Sequence, residues 1–125
     1  MFKYTNTDKA PGAVGPYSQA IACNGILYAS GQVPLVPGVG KLVEGGIEEQ
    51  AEQACKNVAA VLEANGATFD NVIKTTCFLA DMADFAAFNK VYEQYFTEKP
   101  ARSCVAVKQL PKNVLCEVEV IGYLG

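Results

Sequence analysis

Pro100-Ala101-Arg102-Ser103-Cys104-Val105-Ala106-Val107-Lys108-Gln109-Leu110, then Pro111-Lys112-Asn113, then residues 114–124, is the stretch on which the fold turns. Two mostly apolar runs flank a proline and an asparagine, a pattern that predicts two strands joined as a hairpin. Alternation puts Ser103, Val105 and Val107 on one face and Arg102, Cys104, Ala106 and Lys108 on the other. In the second run Val118 and Val120 point one way, and Glu117, Glu119 and Ile121 the other. A half-buried strand rarely carries charge unless the charge is paired or used. One reading is a structural ion pair or a solvated face. The other makes Arg102 a carboxylate receptor, because a planar guanidinium takes a carboxylate bidentately and keeps its charge.

Register limits what a hairpin could do. A turn near Pro111 and Lys112 sets Arg102 against residues 121 or 122. That leaves four or five rungs to Glu117, about 13–17 Å at ~3.3 Å per residue. One flat hairpin cannot bring both onto one small molecule. Their cooperation would need a bulge, strong coiling or a second chain, and a second chain is the expectation.

A chain of 125 residues, half of them hydrophobic, is long enough to bury one core, so residues 1–125 read as a single ordered domain. The net charge of −3 argues against a nucleic-acid partner, which calls for a basic field. No apolar run reaches membrane-spanning length and no charged-then-apolar leader begins the chain, so a cytoplasmic protein without membrane contact is expected. The five cysteines are odd in number and lack C-x-x-C spacing, which argues against a disulfide framework. There is no histidine. That removes the usual base of a Ser or Cys nucleophile and the commonest metal ligand. Acid–base chemistry falls to Glu, Asp, Lys, Tyr, Cys or water.

Residues 2–5 can form a short strand. Residues 18–23 and 26–30 flank Asn24-Gly25, a strong hairpin signal. Ser30 lacks the G-x-S-x-G elbow of a nucleophile, and Gly31 is a point where backbone can approach a ligand. Residues 33–46, crowded with Gly and Pro, read as a surface connection, and Gly38-Val39-Gly40-Lys41 fails the phosphate-loop spacing. Residues 47–65 predict a helix with the stripe Ile47, Ala51, Ala54, Cys55, Val58, Val61 and Leu62. Residues 72–79 predict a strand. Asp81 caps a second helix with the stripe Phe85, Phe88, Val91, Tyr92, Tyr95 and Phe96. The order β-β-β-α-β-α-β-β predicts an α+β fold, one sheet with both helices on one face. The bare face must then be covered, and association of several chains is the natural cover.

Pro100-Ala101-Arg102-Ser103, followed fifteen residues after the arginine by Glu117 in an apolar strand, resembles the signature of the reactive intermediate deaminase A family, also called YjgF/YER057c/UK114. Gly15-Pro16-Tyr17-Ser18-Gln19, Ser30-Gly31-Gln32, Ile73-Lys74-Thr75-Thr76 and Phe88-Asn89 extend the likeness over nearly the whole chain, and Cys116 departs from the usual aliphatic residue. The resemblance implies a chorismate-mutase-like fold with a single mixed sheet, and a homotrimer with clefts between subunits. It implies hydrolysis of 2-iminobutanoate and 2-iminopropanoate to 2-keto acids and ammonia, without metal or organic cofactor. Arg102 would clamp the substrate carboxylate and Glu117 would handle water and proton. Tyr17, Ser30, Gly31, Asn89 and the Cys104 backbone would shape the cleft. Local pattern alone does not rank Glu117 above Glu119. Two alternatives stand beside this: a non-catalytic module binding a 2-keto acid, and the ribonuclease or translation inhibitor ascribed to some relatives.

Overall fold

Two crossovers determine the architecture. The computed structural model describes Met1–Gly125 and contains strands β1 (Lys3–Thr5), β2 (Ala20–Cys23), β3 (Ile26–Ala29), β4 (Val72–Leu79), β5 (Ala101–Ala106) and β6 (Cys116–Tyr123). Helix α1 (Ile47–Glu63) links β3 to β4, and α2 (Phe85–Tyr95) links β4 to β5. Parallel neighbours need such a crossover, and β4 and β5 pair in parallel. Both crossovers step the same way across the sheet, so crossovers of one hand lay both helices on one face. The expected single mixed sheet with helices on one side is therefore what forms.

The strand order is β1-β2-β3-β6-β4-β5. It overturns one expectation: β5 and β6 are not a hairpin. The last strand enters the slot between β3 and β4, antiparallel to both, and leaves β5 on the sheet edge. Nine residues, 107–115, separate β5 from β6, more than the two to five of a usual hairpin loop. The Asn24-Gly25 hairpin does form: both residues take positive φ (52° and 78°), as a two-residue turn between twisted strands requires.

The helices follow their sequence signals. Glu49 accepts from the Gly46 N–H at 2.8 Å to start α1. Asp81 accepts from the Ala83 N–H at 2.9 Å, capping a 3₁₀ turn that feeds α2. Ala51, Ala54, Cys55, Val58 and Val61 meet Cys77, Leu79, Val118 and Val120 in one core with Phe88. Each fully buried Val or Leu there contributes about 1.5–3 kcal/mol. Gln50 and Asn57 are also buried on the α1 stripe, 4% and 1% exposed. The opposite sheet face carries Tyr28, Val105 and Tyr123, each about half exposed. Nothing in the chain covers it.

Candidate active site

Beyond β3 the chain continues through Ser30 and Gly31 and rejoins β6 at Gln32. The Gln32 N–H donates to the Val118 carbonyl at 2.8 Å, and the Val118 N–H donates back at 3.0 Å. Tyr28 pairs with Ile121 and Gln32 with Val118, so four steps on one side match three on the other. This is a bulge, which re-aims side chains and bends the strand. At its crest a Cβ on Gly31 would overlap the Glu117 carboxyl group. Glycine is required there for close approach, not for its backbone angles.

Glu117 lines a cleft of about 530 Å³ together with Tyr17, Ser30, Gly31 and Lys112. Its other wall is the 33–40 segment, including Val33, Leu35 and Val36. The expected surface connection is thus part of the site. Buried amides fasten these loops. Asn57 donates to the carbonyls of Val33 (2.8 Å) and Leu35 (2.9 Å). Gln19 accepts from the Thr7 N–H at 2.7 Å and donates to the Thr7 and Pro11 carbonyls at 2.9 Å. Gln50 accepts from the Leu115 N–H at 2.8 Å, two residues before Glu117. The positioning roles of Gln50 and Asn57 were missed from sequence. The available signal was an amide at i and i+7 inside an apolar stripe, since buried polar groups are nearly always bonded.

Burial raises the Glu117 carboxyl above the ordinary glutamate range, and the neighbouring Glu119 charge raises it further. Glu119 lies outside the cleft and lines a separate shallow opening with Tyr28, Ser30 and Ile121. Geometry therefore separates two glutamates that local pattern left equivalent.

Arg102 lies elsewhere. Its guanidinium carbon sits 4.7 Å from the Tyr92 ring centre and 5.5 Å from that of Phe85, within cation–π range. One nitrogen donates to Asn89 Oδ1 at 2.8 Å. The chain's one ion pair is Lys9 with Glu63, 3.7 Å apart on the surface. Arg102 thus has no carboxylate partner within its own chain, and the structural ion-pair reading falls. Asn89 and Arg102 share a smaller crevice of about 290 Å³ with Tyr92, Glu93 and Lys99. Cys104 is half-buried two residues along the same strand face. Burial raises its thiol despite the opposing pull of Arg102, so it is a protonated packing group at neutral pH. Its main chain runs along the unpaired edge of β5.

The structure thus divides the expected residues in two. Tyr17, Ser30, Gly31 and Glu117 share one cleft; Asn89, Arg102 and Cys104 lie together at the other place. Arg102 aligns with Thr75 and so with Val120, whereas Glu117 aligns with Phe78 and so with Val105. Three rungs and two strand spacings separate the two Cα positions, about 14 Å. The side chains also leave opposite faces, Arg102 toward α2 and Glu117 away from the helices. One chain cannot bring them onto one small molecule.

The fold is a small α+β domain in which the candidate residues fall into two groups, one on each side of a single sheet. A sequence profile described as Endoribonuclease L-PSP matches residues 7–124. The human 2-iminobutanoate/2-iminopropanoate deaminase is 47% identical over 121 residues, spanning 96% of this chain and 88% of the human one. A Lactococcus lactis protein named as a candidate regulator, AldR, is 52% identical over 96% of both chains. Among solved structures, Escherichia coli TdcF with bound serine superposes with a TM-score of 0.93 at 39% identity, covering 98% of this chain and 99% of that one. The chain belongs to this L-PSP family, that of the Rid/YjgF proteins.

Proposed function

We propose that the chain is a 2-iminobutanoate/2-iminopropanoate deaminase, hydrolysing these imines to 2-keto acids and ammonia in clefts between subunits of a homotrimer. The observation that carries this reading is the separation of Arg102 from any carboxylate of its own chain, on the sheet face opposite Glu117. A guanidinium has five donors, and Asn89 takes one. The remaining fork suits a substrate carboxylate, while the stacking on Tyr92 and Phe85 holds its plane. An adjacent copy that lays its Glu117 cleft against the β5 edge supplies the second half.

The chemistry asks little of the protein. A protonated imine carbon is already electrophilic, so orientation and one proton carrier suffice. Arg102 holds the carboxylate. Glu117 takes a proton from water as the oxygen bonds to C2, and the resulting carbinolamine receives that proton on nitrogen. The C–N bond then breaks, ammonia leaves, and the C2 oxygen loses its proton to give the ketone. The raised affinity of Glu117 for its proton suits a group that both accepts and returns it. The deciding experiment couples the purified chain to a pyridoxal-phosphate-dependent dehydratase that releases the imine, and follows 2-keto acid formation. Acceleration above the spontaneous rate is expected; a rate unchanged by the chain would overturn the reading.

A second reading, binding without turnover, is favoured by the serine bound to the TdcF relative and the regulator's name carried by AldR. Glu117→Gln separates the two: a deaminase keeps affinity for a 2-keto acid and loses turnover. The ribonuclease activity in the family's description fits less well, since an acidic chain without histidine lacks a phosphate-binding field and the common acid–base pair.

A further inference from the structure

The chain holds two Asn-Gly pairs, Asn24-Gly25 and Asn65-Gly66, in very different surroundings. We propose that Asn24-Gly25, at the tip of the β2–β3 hairpin, is a site of spontaneous deamidation and isoaspartate formation, and that Asn65-Gly66 is protected from it. In this reaction the main-chain nitrogen of the glycine bonds to Cγ of the asparagine and the side-chain nitrogen leaves as ammonia. Water then opens the five-membered imide at either carbonyl. Net exchange of NH for O leaves aspartate or isoaspartate, with one added negative charge. The reaction needs an unhindered glycine nitrogen, a free side-chain amide and room for the backbone to move.

Asn24 meets these conditions. It is exposed, its side chain makes no hydrogen bond, and the Gly25 N–H donates to no acceptor. Only the Gly25 carbonyl is held, by the Leu124 N–H at 2.6 Å. Attack requires Asn24 to leave its left-handed conformation, and a two-residue turn tip opens at far lower cost than the core. Asn65 fails the first two conditions. Its Nδ2 donates to Thr5 Oγ1 and to the Val61 carbonyl, both at 2.9 Å, and its Oδ1 is buried. The Gly66 nitrogen is bonded to the Glu63 carbonyl at 3.0 Å. The two products at position 24 differ in consequence. Aspartate preserves the turn, whereas isoaspartate adds a main-chain carbon and disturbs the Cys23–Ile26 register.

The test ages the full-length protein in mildly alkaline buffer and maps its peptides by mass spectrometry, with isoaspartyl methyltransferase labelling as the second readout. The Asn24 peptide is expected to convert at least about tenfold faster than the Asn65 peptide, and to carry the methyl label. In denaturant the two rates should converge, which shows that the fold makes the difference. Asn24→Gly, which has no side-chain carbonyl to cyclise and accepts the positive φ of the turn, should abolish the methyl label at this peptide while leaving imine hydrolysis unchanged. Equal conversion of the two pairs in the native protein, or an Asn24 peptide that stays intact, would overturn the proposal.

Discussion

The Glu117 cleft and the Arg102 crevice are built by opposite strategies. Glu117 stands on a central strand, but its surroundings are loops, fastened by Gln19, Gln50 and Asn57 and opened by the bulge at Gly31. Arg102 stands on an edge strand, yet its side chain is held by one helix through Asn89, Tyr92 and Phe85. The first half is a loop-walled cleft with one carboxylate, Glu117, and one lysine, Lys112. The second is a rigid cation. Neither Glu117 nor Arg102 is ion-paired within one chain, and on the proposed reading the site is complete only when copies of the molecule meet. The homotrimer proposed above would join each subunit's front to the next one's back, the heterologous contact that brings different surfaces together.

The strongest way to break this comparison is to damage each half in a different subunit. Arg102→Ala alone and Glu117→Gln alone should each lower kcat/KM by about 10²–10³-fold. Co-refolding the two variants in equal amounts should restore about a quarter of the wild-type activity, because one random neighbour pairing in four unites an intact arginine with an intact glutamate. A mixture as inactive as its components would place both groups in a single chain's site, against the geometry described here.

Gly31→Ala probes the Glu117 half alone. The added methyl displaces the carboxylate, the movable end of a flexible side chain, so the fold survives while the proton carrier is misplaced. A loss of about 10²-fold in kcat is expected, with a urea midpoint near wild type. Unfolding in place of inactivation would show that Gly31 serves the backbone instead.

Asn57→Ala tests the fastening. It removes the side-chain donor to the buried Leu35 carbonyl and one of two donors to the Val33 carbonyl, which keeps the Leu35 N–H at 2.8 Å, so stability should fall by about 1–3 kcal/mol. KM should rise several-fold as the cleft wall loosens, while the Arg102 half stays unchanged. Urea denaturation and steady-state kinetics on the same preparation measure both effects.

Legibility from sequence followed the range of the interactions. Helix stripes and the Asn24-Gly25 turn depend on near neighbours, and each appears where local pattern puts it, whereas Asp81 caps the 3₁₀ turn Met82–Asp84 and α2 itself starts from Asp84. The destination of β6 depends on a slot between two strands far away in sequence. Pro111-Lys112-Asn113 carries the same turn chemistry whether the chain folds back on β5 or crosses to β3 and β4. Local pattern runs the first strand to Leu110, whereas β5 stops at Ala106 and leaves nine residues before β6. Alternation correctly put Arg102 and Cys104 on one face of β5, but relating that face to Glu117 needed the strand order. Gln50 and Asn57 escaped notice because their partners are carbonyls and an N–H of distant loops, invisible in a list of side chains.

The finest comparison lies inside the Glu117 half, between two carboxylates two residues apart. Burial is the larger cause of the raised Glu117 value and Glu119 the smaller. Glu119→Gln should therefore lower the Glu117 pKa only partway, moving the acid limb of the kcat/KM profile to lower pH without restoring the ordinary glutamate value, with kcat preserved. Linkage supplies a second reading of the same group. A carboxyl whose folded pKa exceeds its unfolded value binds its proton more tightly when folded, so it costs stability as pH rises through the interval between the two values. Glu117→Gln removes that cost: it should stabilise the protein at neutral pH and do so hardly at all at about pH 4, below the ordinary glutamate value. Glu119→Gln should give a smaller neutral-pH gain of the same sign. If Glu119→Gln abolished turnover while Glu117→Gln spared it, the carboxylate in the cleft would be a bystander and the shallow opening beside Ser30 would be the reacting face.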